Sequence, residues 1–405
     1  MPATVRRARQ EEIPTVVAVL ETAAGRHPAP EPAADDSYDA DRTLLAVDGD
    51  VIVGATSSES IEVTVPGPRV LTAAKISLTG LLPTHRNQGL ATALMREQLA
   101  DLRLRGEPLA VLMTAQAGVP AVNGFSPATD AMSVRFRPRT SGSASGATTS
   151  VRLRVVTGDE ASETLPAVYD RHRRTMPGQV SRSARFWSEW FEDRPLVRIG
   201  SSERFFVLAE TAEGCVGYLS YRLDYGALRE QPVPVIHIED LVAHGDARRA
   251  LWRFCLEFTQ AAEGRAWNVP VDDSVRWLPD VLRDIEVTAL RHFLHLRLVD
   301  VPTALAARSY TNAGSVVLDL TDPVLPSNAG RFALQADSAN TSCLPTDLPA
   351  DVRLSVSDLA AVYLGAVSFR TLIAAGRVTC TSDMAPYKLD EMFQVDSAPW
   401  TVTDW

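Results

Sequence analysis

The segment AKISLTGLLPTHRNQGLATALMREQL, Ala74 to Leu99, gathers the residue types that could hold a phosphorylated ligand. An apolar, β-prone run from Ile76 to Leu82 breaks at Pro83 and crosses a polar turn, after which Leu90, Ala93, Leu94 and Leu99 keep helical spacing. The pattern predicts strand, loop and helix. Small residues at Gly89 and Ala91 let a ligand come close to the backbone. The first N–H groups of a helix have no partner within it and sit at the positive end of its dipole, so they favour phosphate. Arg86 adds a permanent positive charge beside them.

Other titratable groups read as structural. His85 sits on the turn next to Arg86 and is expected to face solvent. His237 and Glu239 point to one side of a strand and form a polar cluster with Asp240. His292 and His295 have helical i, i+3 spacing, but no acidic third ligand lies nearby in sequence, so no metal site is expected. Four cysteines, Cys215, Cys255, Cys343 and Cys380, stand far apart and read as free thiols.

The elements that must position the loop follow in chain order. With 405 residues, two or three domains are expected, and 45% apolar with 22% charged residues is ordinary globular composition. No apolar run approaches the ~20 residues that cross a bilayer, and MPATVRRARQ has no hydrophobic signal core, so a cytoplasmic protein with no membrane partner is expected. A net charge of −10 argues against nucleic acid and suits a cationic substrate. Val5 to Ala24 reads as strand and amphipathic helix, and Thr43–Val47 and Val51–Gly54 form a hairpin around Asp48-Gly49-Asp50. Val111 to Ala115 is the next parallel strand, and Gly124-Phe125-Ser126-Pro127 turns into a final strand through Val134. PRTSGSASGATTS, from 138 to 150, is a linker. Beyond it the order repeats: strand 151–155, helix near 165–174, a hairpin of 205–209 with 215–221, strand 236–243 and helix 247–263. His244-Gly245-Asp246-Ala247-Arg248 stands where the first unit has its glycine loop. The last hundred residues mix strands near 315–320 and 330–335 with short helices near 359–364 and 369–376.

Arg86-x-x-Gly89-x-Ala91 between strand and helix resembles the pyrophosphate loop of the GNAT N-acetyltransferases, which bind acetyl-CoA. The wider set Pro83, Thr84, His85, Arg86, Gly89 and Leu90, with VPTALAARSY, GRFAL, VYLGA and TLIAAGRV near the end, resembles the enhanced-intracellular-survival (Eis-like) aminoglycoside N-acetyltransferases. The resemblance implies an α+β protein of mixed sheets: a GNAT domain at 1–140 with the acyl-CoA site, a degenerate GNAT-like domain at 151–295, and a sterol-carrier-protein-like domain at 296–405. It implies acetyl-CoA or another acyl-CoA as cosubstrate, a small-molecule amine as acceptor, and a homo-oligomer, a ring-shaped hexamer.

Carried onto this chain, the resemblance gives Leu78, Leu81 and Leu82 backbone contacts to the pantetheine arm and thioester, and the nucleotide to Arg86, Asn87, Gln88, Gly89, Leu90 and Ala91, with Asn123 as a further cosubstrate contact. Ser77 matches a substrate-facing serine, and the terminal carboxylate of Trp405, with Asp404 beside it, matches a group that takes the amine's proton. One feature departs from the family. The stretch carrying its general-acid tyrosine corresponds to Gly118–Pro127 here, with Pro120 at the tyrosine's place and Phe125 at a second tyrosine; neither donates a proton. Three functions stay open at this stage: amine acetylation by direct attack on the thioester, a biosynthetic acyl-thioester, cyclisation or decarboxylation reaction on the same fold, and a non-catalytic acyl-CoA or lipid binder.

Overall fold

The computed structural model describes residues 3–27, 38–67, 69–77, 79–113, 122–139, 150–194, 198, 200–226, 233–278, 285–337 and 340–404. In chain order the first stretch contains β1 (Thr4–Arg7), α1 (Ile13–Ala23), β2 (Thr43–Asp48), β3 (Val51–Val65), β4 (Arg69–Ile76), β5 (Gly80–Leu81), α2 (Leu90–Leu104), β6 (Leu109–Met113) and β7 (Ser126–Pro127). The second contains β8 (Asp130–Phe136), β9 (Arg152–Val156), α3 (Gly158–Arg173), α4 (Ala184–Glu192), β10 (Phe205–Thr211), β11 (Gly214–Asp224), β12 (Val235–Val242), α5 (Gly245–Leu256), β13 (Glu263–Pro270) and β14 (Ile285–His292). The third contains β15 (Leu294–Leu298), α6 (Val301–Ala307), β16 (Gly314–Thr321), β17 (Gly330–Ala336), β18 (Thr341–Pro345), β19 (Val352–Ser355), α7 (Val356–Tyr363), α8 (Phe369–Ala374), β20 (Thr379–Cys380) and α9 (Ala385–Phe393). Among the described residues no helix is long and apolar enough to cross a membrane.

Two compact units result: Met1–Ala128 with Phe293–Asp396, and Thr129–His292 with Ser397–Trp405. The first unit holds two sheets. One has the order β1-β2-β3-β4-β6-β15-β7 with β5 paired to β3, and the other, built from the third stretch, has the order β18-β17-β16-β19-β20. α2 packs Met95, Leu99 and Leu102 on Ala74, Ile76, Ala110 and Leu112, while α1 lays Val16 and Leu20 over Leu45 and Ala55. The second unit holds one sheet, β14-β8-β13-β12-β11-β10-β9, with α5 supplying Leu251, Trp252 and Cys255 to its core.

The strand expected to close the first sheet, running through Val134, instead belongs to the second. β8 pairs with β13 and β14 there, and Met132, Val134 and Phe136 are core residues of that unit. β15 takes the place beside β6, Leu294 opposite Met113 through Leu298 opposite Leu109. Its polar face is buried as well: Arg297 is closed off from solvent and ion-paired to Asp322 at 2.6 Å, and Asp322 also accepts from Val324 N–H, Leu325 N–H and Asn328 Nδ2. Burial of such a cation is tolerable only beside a paired carboxylate. Accordingly His292 and His295 lie on two strands of different sheets, not one helix, and His292 bonds Asp130 at 2.7 Å. The helix expected over 247–263 ends at Leu256, because Glu263 already begins β13.

Candidate active site

β3 is fifteen residues long and β4 follows it antiparallel from Val65 opposite Arg69 to Ser58 opposite Ile76. β4 therefore ends where the sequence predicts its strand to begin. Its parallel pairing with β6 covers only Ala73–Lys75 against Leu109–Val111. Beyond that point the chain stays with β3: Ser77 N–H donates to Ser57 O at 2.9 Å, and Gly80–Leu81 pairs with Ala55 and Gly54. β6 runs on beside β15 instead. The two parallel neighbours diverge, and a gap opens between them.

Alternation decides which backbone groups face that gap. Leu82 N–H is committed to Val53 O at 2.8 Å and Leu82 C=O accepts from His85 N–H, so the backbone of Leu82 is spent. That corrects the expectation of a ligand contact from its N–H. Leu81, one residue earlier, turns its N–H and C=O away from β3. Its side chain is buried with Leu44, Val53, Leu90 and Leu94, so Leu81 and Leu90 have only backbone to offer. The close fit depends on Gly54, where a Cβ would come within 2.3 Å of Leu81 Cδ2. Ser77 is half-buried on the face opposite the α2 core, and Leu78 lies outside the described residues.

The loop carries Asn87 at φ 62° and Gly89 at φ 80°, two left-handed residues separated by one, a backbone that turns successive N–H groups toward a common point. Asparagine tolerates that conformation, and at position 89 only glycine does so without strain. Gly89 is the N-cap of α2 and gives it no side-chain cap; the first turn has no acidic residue, and space beside Gly89 is open. The N–H groups of Leu90 and Ala91 thus remain for an anion. Arg86 is exposed and steadied by a 2.8 Å bond from Nη2 to Ala23 O on α1; Gln88 is exposed beside it. His85, expected to face solvent, is half-buried: it bonds Thr84 Oγ1 and lies 3.5 Å from Asp48. Asn123 is buried ahead of β7, held by Gly124, where a Cβ would meet the Arg297 guanidinium at 2.8 Å. Phe125 packs into the core with Ile76 and Leu99, and Pro120 lies outside the described residues.

The end of the chain belongs to the second unit and is anchored there residue by residue. Trp400 N–H donates to Pro177 O, its indole donates to Asn268 Oδ1 at 2.6 Å, and Asn268 Nδ2 returns a bond to Thr401 O at 3.0 Å. Gly178, at φ 91°, leaves no room for a side chain against the Trp400 backbone. Thr403 Oγ1 meets Tyr169 OH at 2.7 Å and Arg182 Nε at 3.0 Å. Arg182 is in turn paired with Asp240 at 2.6 Å, with side chains 1% and 5% exposed, and stacks on Tyr169 and Phe186. Burial raises the Tyr169 and Tyr218 phenols above their usual range, so both act as neutral donors. Asp404 is exposed, one residue past this anchor, and Trp405 lies outside the described residues. Sequence reasoning placed Asp240 with His237 and Glu239; a bulge between Ser220 and Tyr221 turns it to the Arg182 side, while Glu239 pairs with Arg204 and Arg222. Tyr169, Arg182 and Asn268 carry no motif that would single them out.

Residues 4–128 and 178–298 each match the acetyltransferase (GNAT) domain family, and 301–402 match the sterol carrier protein domain family. N-acetyltransferase Eis of Mycobacterium tuberculosis is 30% identical over 386 residues, covering 89% of this chain and 90% of that protein. The chain belongs to the Eis-like GNAT N-acetyltransferases. An uncharacterised N-acetyltransferase of Streptomyces avermitilis is 35% identical over 364 residues, 89% of this chain and 88% of the relative. The crystal structure of Eis1 from Mycobacterium abscessus superposes with a TM-score of 0.84 at 29% identity, over 99% of this chain and 100% of that one. A GCN5-related N-acetyltransferase from Anabaena variabilis, 18% identical with a TM-score of 0.83, shares the fold. This Eis-like protein is thus a GNAT-type acyltransferase with two GNAT folds and a sterol-carrier-like domain, from a family that uses acetyl-CoA.

Proposed function

We propose that this chain transfers an acetyl group from acetyl-CoA to a primary amine of a cationic, aminoglycoside-like small molecule, by direct attack of the amine on the thioester. The observation that carries the reading is the divergence of β4 and β6 above a left-handed loop and an uncapped helix start, all within the first unit. The pyrophosphate is bound by Arg86 and the N–H groups of the Asn87–Ala91 loop, and the pantetheine arm pairs with the outward backbone of Leu81 and its neighbours; Asn123, with no exposed surface, is not among the contacts. An N–H beside the thioester carbonyl stabilises the oxyanion as the amine adds. Ser77 contacts the acceptor. By the family resemblance the amine's proton passes to the terminal carboxylate of Trp405, with Asp404 adding negative charge that draws a cation. The C–S bond then breaks, leaving the CoA thiolate and an amide.

With Pro120 at the family tyrosine's position, no side chain there protonates the thiolate. A thiol of pKa ~8.5 leaves tolerably unaided, and the missing acid slows the step by about 10²–10⁴-fold. That same substitution supports a second reading, in which the acyl-thioester site serves a biosynthetic reaction other than amine acetylation. The protein acts in the cytoplasm as a homo-oligomer, a hexamer by its family. Thiol release from acetyl-CoA over a panel of amines including an aminoglycoside tests the reading: turnover is expected, and it falls by about 10²–10⁴-fold when Trp405 is deleted. CoA binding without turnover on any amine would overturn it.

A further inference from the structure

β14 is the outermost strand of the second unit's sheet, and among the described residues its far edge pairs with no other strand. It is also the most exposed long strand there: Val287 and Leu290 are 42% and 68% exposed, and the Glu286 side chain 59%. Open apolar edges invite pairing with another chain unless charges or bulges deter it. Here the charges do the opposite.

The sequence of β14, Ile285-Glu286-Val287-Thr288-Ala289-Leu290-Arg291-His292, is complementary to itself when read backwards. A second copy running antiparallel about a two-fold axis between Thr288 and Ala289 sets Glu286 opposite Arg291 and Val287 opposite Leu290. The faces agree. A bulge between Val287 and Ala289 shifts the pairing with β8, so Val287 opposes Val134, Leu290 opposes Met132, Glu286 opposes Arg135 and Arg291 opposes Ala131. Val287 and Leu290 therefore share the core side of the sheet, while Glu286 and Arg291 share the other side. Without that bulge, Val287 and Leu290 would fall on opposite faces. Within the chain Glu286 pairs with Arg135, and Arg291 Nη2 donates to Ser133 Oγ at 2.7 Å; both partners are on β8, leaving the outer side of each group available.

We infer that the β14 edge is an isologous contact surface for a second copy of this chain, continuing the seven-stranded sheet across a two-fold axis, with Glu286 of each copy facing Arg291 of the partner subunit. This goes beyond the acyl-transfer reading and does not depend on it. An opposite-charge cross-strand pair is favourable and a like-charge pair unfavourable, and the two-fold makes each occur twice.

Sedimentation velocity or native mass spectrometry of the full chain tests it, with circular dichroism confirming that each variant folds. Glu286→Arg alone and Arg291→Glu alone each set like charges opposite one another twice and are expected to weaken self-association by about tenfold or more. The E286R/R291E double exchange, made in an R135E background, restores the wild-type assembly, since the cross-copy pair and the pair to β8 are then both only reversed. Leu290→Lys lowers association without rescue by either exchange. A monomeric wild-type chain, single charge reversals that leave the assembly unchanged, or a double exchange as weak as the singles overturns the inference.

Discussion

In the first unit β4 and β6 pair from Ala73–Lys75 against Leu109–Val111 and then part; in the second, β12 and β13 pair from Val235–Ile238 against Glu263–Ala266 and then part in the same way. What occupies each opening differs. Below the first gap lies a loop with two left-handed residues and a helix start free of acidic side chains. At the second, Asn268, two residues beyond the last β13 pair, binds Trp400 and Thr401, while Asp240, two beyond the last β12 pair, reaches Thr403 through Arg182. The chain's own tail is held at the second opening, the counterpart of the one that the proposed function gives to a cosubstrate. The second helix start is also altered: His244 holds the N-cap position of α5 without a side-chain cap bond, its ring stacks on His172 at 4.1 Å, and Asp246 follows in the first turn. Both copies of the fold keep the divergence of strands. Only one keeps the anion-binding end.

The largest effect is expected from removing Thr403–Trp405: under the proposed mechanism acetyl transfer falls by about 10²–10⁴-fold as the proton acceptor goes. Acetyl-CoA affinity of the first unit should not move, so kcat and the calorimetric Kd must be measured together. Next, Asp240→Ala leaves Arg182 as a buried cation without its carboxylate, which costs on the order of 3–5 kcal/mol in a chemical denaturation curve. Arg86→Ala should then weaken CoA binding by roughly tenfold, the value of one charge-assisted hydrogen bond, whereas Arg248→Ala near the second helix start should leave it unchanged.

The smallest effect concerns pH. Burial, then the neighbouring His244 and Arg248, hold His172 well below the usual histidine value, and burial with Arg248 lowers His244. The folded state therefore refuses protons that the unfolded chain accepts near pH ~6.5, so stability is full above that pH and falls as the pH drops through it. Thermal melts from neutral to mildly acidic pH should show the loss, and His172→Phe, which keeps the ring and cannot charge, should flatten it.

How much of this was legible in the sequence varies by region, for physical reasons. The glycine loop could be read because Gly89 and Arg86 act through local backbone geometry and charge, and the hairpins because their turn residues fix register on the spot. The length of β3 was hidden by Ser57-Ser58-Glu59-Ser60, a polar run that looks like a loop; inside, Ser57 bonds Thr43 and Ser58 bonds Gln98. The exchange of β8 and β15 could not be read either, since both alternate apolar residues and only tertiary pairing chooses between sheets. Most obscure was the tail's anchor, where Tyr169, Arg182, Asp240, Asn268 and Thr403 are scattered over more than half of the chain and meet only through folding.

Counting CoA molecules per chain tests the central contrast most directly. Isothermal titration of the intact protein with CoA should give one equivalent per chain, abolished or strongly weakened by Arg86→Glu and unaffected by Arg248→Ala. Two equivalents, or a single one indifferent to Arg86, would contradict the account.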